Sequence, residues 1–425
     1  MAELKETESG RRAVMLCCDF EDSEETKAFT EELRLLMESC DLEVVCDMHV
    51  RRKNPDPGYY IGPGNAEQLF SVVSEYEADC VVIGTELTPT QQRNIEDAAR
   101  VKVIDRTRLI LDIFAKRARS NEGKVQTELA TLKYMLPRLG GGKGKDMDRI
   151  GSGSAGVAAR GAGETKLEVD RKRIRRRIGE LTKEIESISR HRDVQNKVRK
   201  SMSIPRASLV GYTSAGKSTL MNLLTGAEAE TNPRLFETLD PMTRRAETKD
   251  GSVFMLSDTV GFLRDLPHRL IAAFKATLSE AAEADFLIHV VDASSPHIDY
   301  RIDSVDKVLE ELGAGDKPTI TVFNKCDGVR DQSHLRALVA DTPDSCYMSA
   351  LTGEGAEYLY DLITETIDGL GKTFEGVIPF GDAKLADMIH TGGRVLSSSY
   401  EADGIHIEAV LPPDLYGRVK RFSVK

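Results

Sequence analysis

The 425-residue sequence predicts an α/β fold in four parts. They are an N-terminal α/β domain, an α-helical hairpin, a doubly wound sheet of the P-loop type, and a small C-terminal α/β domain. Strand and helix patterns alternate early in the chain, two apolar helical stripes flank a glycine-rich stretch, and a phosphate-binding motif lies between a strand and a helix. We expect these parts to span residues 1–118, 119–202, 203–371 and 372–425.

The composition excludes a secreted or membrane-spanning class. Hydrophobic residues make up 40% and charged residues 30% of the chain, and no apolar run approaches the ~18–20 residues that cross a bilayer. The polar N-terminus lacks the apolar core of a signal peptide. The seven cysteines show no paired metal-ligand spacing, so we expect reduced thiols in a cytoplasmic protein. Nothing in the sequence requires an oligomer, and we expect a monomer.

Residues 12–118 predict a small, mostly parallel α/β domain, because apolar strand patterns alternate with helical ones. The strand candidates are residues 13–18, 43–50, 80–84 and 101–104. The helix candidates are residues 25–39, 66–76, 89–100 and 106–117. A glycine-bearing loop at residues 59–65 precedes a helix and could contact a phosphate, but we favour a structural turn.

Residues 119–202 predict a basic helical hairpin. One apolar stripe runs from Val125 to Leu136, and a second, with heptad spacing, runs from Leu167 to Ile188. Each stripe needs an apolar partner, and the simplest partner is the other helix in antiparallel orientation, although each could pack separately on a domain. Residues 140–163 join the helices and hold nine glycines and four cations, a composition that should stay mobile unless a partner orders it.

Charge is segregated along the chain. The net charge is −11, yet residues 116–200 hold 23 Lys/Arg and 11 Asp/Glu. A basic segment within an acidic protein favours contact with a phosphate backbone, and a basic, glycine-rich loop at the tip of a hairpin suits folded RNA. The alternative is a solvated helix face whose charges pair along the helix.

The phosphate-binding motif reads G-Y-T-S-A-G-K-S and follows a predicted strand at residues 207–210. Backbone N–H groups and the start of the following helix should bind phosphate oxygens. Lys217 should reach the β- and γ-phosphates, and the Ser218 hydroxyl should ligate Mg²⁺. The predicted loop residues are Gly211, Tyr212, Thr213, Ser214, Ala215, Gly216, Lys217, Ser218 and Thr219.

The motifs that would bind the base and form the switches occur along the chain in the order of a GTP-binding domain. Asn324, Lys325 and Asp327 form an Asn-Lys-x-Asp motif after a strand at residues 319–323, and this motif reads guanine in GTPases. The Asp327 carboxylate should accept from the two ring-edge N–H groups. Another short strand precedes a supporting loop whose N–H groups should meet the guanine oxygen. That loop consists of Ser349, Ala350 and Leu351.

The switch motif after a strand at residues 252–256 consists of Asp258, Thr259, Val260 and Gly261. We expect Asp258 to hold Mg²⁺ through water and the Gly261 N–H to meet the γ-phosphate. Thr238 is the candidate switch-one magnesium ligand and catalytic residue, with Lys217 and Gly261. It could instead be a simple loop threonine, since Thr243 is a nearby competitor. Phe262 replaces the glutamine that positions water in Ras-like enzymes, so hydrolysis should be slow without a partner.

The C-terminal part predicts strands at residues 374–379, 394–400 and 405–411, a helix at residues 383–390, and no catalytic motif. Over roughly residues 10–370 the chain resembles the HflX-type ribosome-binding GTPases. The strings that carry the resemblance are residues 60–62, 90–94, 103–107, 111–115, 128–130, 132–134, 136–139, 160–165, 236–244 and 258–262.

The resemblance implies binding to the large ribosomal subunit and its rRNA, with the hairpin reaching toward the peptidyl transferase centre. It implies splitting of stalled ribosomes in the GTP state, stimulation of hydrolysis by the ribosome, and in some members ATP hydrolysis by the N-terminal domain. The family usually carries Asn at the position of Ser214, and that amide is linked to potassium in related GTPases. An assembly GTPase for the large subunit and a nucleotide-gated RNA-binding switch are the alternatives.

Overall fold

The computed structural model describes residues 11–19, 24–139, 160–200, 204–227, 242–263 and 280–424, with the single residues 236, 267, 270 and 274. The described residues divide into two compact units: the first contains those up to Glu186 together with residues 267 and 270, and the second contains the others from Ser187 onward. Helices and strands alternate as predicted, which confirms the mixed α/β fold class. No helix in the described ranges is both long and apolar enough to span a membrane.

The N-terminal sheet is parallel and has the strand order β2-β1-β3-β4. Its strands are β1 (Arg11–Asp19), β2 (Leu42–Arg51), β3 (Cys80–Ile83) and β4 (Lys102–Asp105). Its helices are α1 (Glu24–Ser39), α2 (Pro63–Glu75), α3 (Pro89–Ala99) and α4 (Arg106–Arg117). The four strand and four helix predictions are confirmed to within three residues at either end. The central strands β1 and β3 are almost continuous apolar runs, as expected of strands buried on both faces.

The hairpin consists of α5 (Asn121–Met135), a short 3₁₀ turn (Leu136–Arg138) and α6 (Arg160–Lys200). A small core of Val125, Leu129 and Leu181 joins the two helices. Polar contacts link Asn121 with Glu184, Glu128 with Arg177 and Leu139 with Arg171. As the residue number rises from Asn121 to Leu139, the number of the contacted residue on α6 falls from Glu184 to Arg171. The predicted antiparallel packing is therefore confirmed. Because α6 already begins at Arg160, the predicted connection of residues 140–163 was too long by four residues.

The second unit contains a six-stranded sheet with the order β10-β9-β8-β5-β7-β6, in which only β6 is antiparallel to its neighbour. The strands are β5 (Arg206–Val210), β6 (Met242–Glu247), β7 (Val253–Asp258), β8 (Phe286–Asp292), β9 (Thr319–Asn324) and β10 (Ser345–Tyr347). The helices after these strands include α7 (Lys217–Thr225), α8 (Ile298–Glu311), α9 (Gln332–Asp341) and α10 (Ala356–Leu370). The carboxyl ends of the parallel strands share one edge, where ligands bind in such sheets.

The C-terminal sheet is antiparallel, with the order β11-β13-β12. It contains β11 (Lys372–Ile378), β12 (Arg394–Glu401) and β13 (Gly404–Leu411). The helices α11 (Ala383–Gly392) and α12 (Pro413–Val419) share one apolar core with the sheet, which includes Phe374, Ile389 and Leu415. The predictions anticipated all three strands and α11 but missed α12.

Candidate nucleotide site

The phosphate-binding motif forms a tight loop between β5 and α7, as the strand–loop–helix prediction requires. Gly211, Ser214 and Gly216 have positive φ angles of 147°, 61° and 96°. A Cβ at Gly211 would lie 2.3 Å from the Val290 carbonyl oxygen, and one at Gly216 would lie 2.2 Å from the Asn324 amide nitrogen. Both positions therefore require glycine. The helix begins without a side-chain cap, and the N–H groups of a first helical turn are the donors that bind an anion.

Lys217 is the first residue of α7 and is buried. Its Nζ donates to the carbonyl oxygens of Gly211 and Tyr212, at 3.0 and 2.9 Å. Burial lowers the pKa of the Lys217 ammonium to about 8, and the charge of Asp258 opposes that shift. The ammonium is thus held by neutral carbonyl groups within the loop that is expected to receive a phosphate.

The oxygen ligands expected for a magnesium ion lie together. Ser218 Oγ donates to Asp258 Oδ2 at 2.7 Å, and Asp258 is buried at the end of β7. A hydroxyl and a carboxylate of this kind fit Mg²⁺, which prefers hard oxygen ligands. The Thr238 prediction lies outside the described residues. The competing Thr243 lies on β6, where its hydroxyl shares a hydrogen bond of 2.9 Å with Ser257 Oγ.

The switch motif is attached to the phosphate loop through the backbone. Thr213 N–H donates to the Phe262 carbonyl at 2.8 Å, and Phe262 N–H donates to the Gly211 carbonyl at 3.1 Å. A Cβ at Gly261 would lie 2.7 Å from Thr213 Cγ2 and 3.0 Å from Lys217 Nζ, so a side chain has no room there. The Phe262 side chain is fully buried and cannot orient a water molecule.

The other two residues of the switch motif support the site from within the core. Thr259 Oγ1 donates to the Leu209 carbonyl of β5 at 2.6 Å, and Val260 is buried. Both side chains therefore hold the switch segment against the sheet. The prediction that they belong to the nucleotide site rests on their backbone groups.

Asn324 has a different contact pattern from the one expected for a base-reading residue. Its Nδ2 donates to the Ala215 carbonyl at 2.8 Å, and its Oδ1 accepts from the Ala350 N–H at 2.8 Å. The amide thus joins the phosphate loop to the supporting loop. Its side chain fixes the distance between the two loops, while Asp327 is exposed at the site.

Lys325 is held by a residue that the motif does not contain. Its Nζ lies 2.8 Å from Asp292 Oδ2 at the end of β8. Bonds from Lys325 and from Ser294 lower the pKa of Asp292 despite its burial. Arg301 lies 3.7 Å from the same carboxylate and 5.2 Å from the centre of the Tyr212 ring. This chain of contacts connects the base-specificity motif with the phosphate loop.

The supporting loop is more internally bonded than predicted. Ser349 is fully buried, and its N–H donates to the Glu354 carbonyl at 2.9 Å. Its backbone donor is therefore not available to guanine, contrary to the expectation for this residue. The Ala350 N–H is likewise bonded to Asn324 Oδ1, which leaves the exposed Leu351 as the candidate donor to the guanine oxygen.

Strand β8, which supplies Asp292 and the buried His289, was not among the predicted strands. The pKa of His289 falls to about 4, first because of burial and second because of the Lys217 charge. The imidazole beneath the phosphate loop is therefore neutral at ordinary pH. The six-residue run F-L-I-H-V-V, apolar except for His289, is the signal that could have revealed this strand, since nearly continuous apolar runs mark central parallel strands.

Three family models match consecutive parts of the chain. They are described as GTP-binding GTPase N-terminal over residues 27–115, GTP-binding GTPase Middle Region over residues 117–199, and 50S ribosome-binding GTPase over residues 206–325. The GTPase HflX of Caldanaerobacter subterraneus subsp. tengcongensis is 41% identical over 402 residues, which cover 95% of this chain and 92% of that relative. The chain belongs to the HflX GTPase family.

The GTPase HflX of Escherichia coli is 39% identical over 363 residues, which cover 85% of this chain and 84% of that relative. A solved structure of a GTP-binding protein from the archaeon Sulfolobus solfataricus, in complex with GDP, is 28% identical. That match covers 84% of this chain and 98% of the archaeal chain, with a TM-score of 0.44. The HflX resemblance is confirmed, and the protein is a GTPase that binds and hydrolyses GTP.

Proton uptake on GTP binding should measure the change in protonation of Lys217 in this HflX-family GTPase. In the nucleotide-free protein the pKa of Lys217 is lowered to about 8. Phosphate oxygens should raise this pKa because they favour the charged form. Binding should therefore take up more protons at pH 8.5 than at pH 7. Calorimetry in two buffers of different ionisation enthalpy measures this number. Equal uptake at both pH values would contradict the assigned position of the phosphate.

Proposed function

We propose that this GTPase acts in the cytoplasm, binds the large ribosomal subunit through its rRNA, and splits or rescues stalled ribosomes. The observation that carries the proposal is the exposed basic face of α6, which Lys172, Arg173, Arg175, Arg176 and Arg177 form on the hairpin. The family model over residues 206–325 is described as a 50S ribosome-binding GTPase, which supports the same partner.

Only some of the cations on the basic face of α6 form ion pairs with carboxylates of the described residues. Arg176 pairs with Glu180, and Arg177 binds Glu128 through two contacts of 2.7 and 2.8 Å. The remaining cations in this stretch of α6 have no carboxylate within ion-pair distance among the residues that the structure describes. These exposed cations are Lys172, Arg173 and Arg175. Their charge is therefore available to phosphate groups, which favours nucleic acid over the solvated-face alternative.

The proposed chemistry is in-line attack of water on the γ-phosphate. Lys217 and the N–H groups of the phosphate loop would offset the charge that develops on the phosphate oxygens, and the Gly261 N–H would contact the γ-phosphate. Ser218, Asp258 and Thr238 would hold Mg²⁺, which adds positive charge beside the phosphates when it is bound. Asp327, with Lys325 stacked on the ring, would select guanine.

The buried Phe262 supports control of this chemistry by a partner. A fully buried aromatic side chain supplies no hydrogen bond to water, so the intrinsic rate should be low. The ribosome would then stimulate hydrolysis by ordering the switch segments. This ties the energy of GTP hydrolysis to arrival on the ribosome.

Salt dependence tests the proposed RNA contact. Changing Lys172, Arg173 and Arg175 to Gln should flatten the plot of log affinity for large subunits against log salt concentration. Three lost phosphate contacts should reduce the slope by about two to three units. The matched control neutralises three exposed cations of the other compact unit, namely Lys307, Arg336 and Lys384. An unchanged slope in the α6 variant, or an equal loss in the control, would reject this face as the contact.

A further inference from the structure

Three segments of the chain meet at one buried carboxylate in the N-terminal unit. Asp105 is completely buried at the end of β4. Its Oδ1 accepts from Arg108 N–H and from the Tyr134 hydroxyl, both at 2.8 Å. Its Oδ2 accepts from Leu87 N–H and from an Arg138 Nη2–H, both at 3.1 Å. Each carboxylate oxygen therefore accepts two hydrogen bonds. Of the four donors, Tyr134 lies on α5 and Arg138 lies in the turn after α5.

Arg138 makes the complementary set of contacts. Its guanidinium donates to the Leu87 carbonyl at 2.6 Å, the Gln92 side-chain oxygen at 2.9 Å and the Tyr134 carbonyl at 3.0 Å. It also stacks on the Tyr134 ring, 3.6 Å from the ring centre. The side chain is only 11% exposed. Lysine could not replace this arrangement, because it lacks the planar fork that presents several donors in fixed directions.

The neighbouring residue connects the same turn to the second helix of the hairpin. The Leu139 carbonyl accepts from Arg171 Nε of α6 at 2.8 Å. One turn of chain thus contacts the N-terminal sheet, α5 and the start of the basic face. Several strings that carry the family resemblance, at residues 90–94, 103–107, 132–134 and 136–139, meet here although no part of the nucleotide site uses them.

The chemistry of this junction favours a defined geometry over mere stability. Burial raises the pKa of the Asp105 carboxyl, and the surrounding donors oppose that rise. A buried ion pair must overcome desolvation, so an apolar contact of equal volume could be as stable. Directional hydrogen bonds differ from apolar contacts because they fix an angle. The junction therefore holds the hairpin in one orientation relative to the sheet.

We infer that Arg138 is a positioning residue that fixes the hairpin to the N-terminal sheet, so that the basic face of α6 meets its RNA partner in one orientation. Among the residues that the structure describes, Arg138 contacts Leu87, Gln92, Asp105 and Tyr134, and none of these belongs to the nucleotide site or to α6. The functional consequence rests on the ribosome-binding function proposed above. The structural consequence, one fixed angle, does not depend on that function.

Distance measurements between spin labels test the fixed angle. Positions 67 and 183 are exposed, on α2 and α6, and can carry labels on non-natural residues that leave the seven cysteines untouched. The unchanged protein should give one narrow distance distribution, whereas Arg138→Met should broaden it. Arg138→Lys should also broaden it, because the charge remains but the fork is lost. A narrow distribution in both variants would overturn the inference.

A matched control separates positioning from loss of stability. Arg106 and Glu32 form another buried ion pair, between α4 and α1, that does not involve the hairpin. Arg106→Met should destabilise the domain in urea yet leave the label distance narrow. Should Arg138→Met not fold, Tyr134→Phe removes only the hydroxyl that binds Asp105 and should broaden the distribution partially. Equal broadening in the Arg106 control would overturn the assignment to Arg138.

The functional readout compares intrinsic with ribosome-dependent GTP hydrolysis. The phosphate loop lies in the other compact unit, so Arg138→Lys should leave the intrinsic rate unchanged. The ribosome concentration that gives half-maximal stimulation should rise about tenfold or more, since correctly spaced contacts no longer bind together. Unaltered half-maximal stimulation with a broadened distance would overturn the functional part. Absence of stimulation in the unchanged protein would instead reject the proposed ribosomal function and leave the distance result standing.

Discussion

Replacing Lys217 with alanine is expected to lower GTP affinity by about two to three orders of magnitude. The Lys217 ammonium is buried and is held by two loop carbonyls that it can exchange for phosphate oxygens. Removing one partner of a buried charged hydrogen bond costs about 2–5 kcal/mol, a range that contains this loss. Fluorescence titration with a labelled GTP analogue measures it.

An exposed lysine of the same unit provides the control for this change. Lys249 lies in the turn between β6 and β7, so Lys249→Ala should bind GTP normally. Unfolding midpoints of the two variants should be compared, because alanine at position 217 also removes a buried charge. Unchanged GTP affinity in a folded Lys217→Ala protein would mean that this loop does not receive the phosphates.

Replacing Asp327 with asparagine is expected to change base preference from GTP toward xanthosine triphosphate. The carboxylate would accept from two guanine N–H groups, and an amide that offers one acceptor and one donor suits the 2-oxo group of xanthine. Loss of charge-assisted hydrogen bonds should weaken GTP binding by about a hundredfold. Competition titrations with both nucleotides measure the ratio of affinities.

Asp316 is an exposed aspartate before β9 and provides the matched change, Asp316→Asn, which should leave the preference for GTP intact. If Asp327→Asn kept the original ratio of affinities, another residue would have to read the base. Leu351, which is 80% exposed beside Ala350, would then be the place to begin, through its backbone groups.

Local patterns predicted the parts of the site that are contiguous in sequence. The phosphate loop needs glycine where Gly211 and Gly216 approach other backbone and side-chain atoms, and this need is visible as a motif. Strands and helices were also visible, because apolar residues recur with the period of each element. The order and orientation of such segments then fixed the fold class.

Contacts that depend on strand order could not be read from the sequence. Lys325 is paired with Asp292 because β8 and β9 are neighbours, and nothing near either residue indicates this. Asn324 likewise reaches Ala215 across 109 positions. The contacts of Asp105 with Leu87, Tyr134 and Arg138 also depend on tertiary packing, since a single aspartate after a strand predicts only a helix cap. Each of these contacts is chosen by tertiary packing rather than by local propensity.

Hydrolysis in the presence of ribosomes tests the proposed function of this HflX-family GTPase most directly. GTP hydrolysis by the purified protein should be measured alone and with intact ribosomes, while light scattering follows subunit dissociation. We expect slow hydrolysis alone, strong stimulation by ribosomes, and dissociation that requires GTP. Stimulation without dissociation would contradict splitting and favour an assembly factor or an RNA-binding switch, and absence of stimulation would contradict the ribosome as partner.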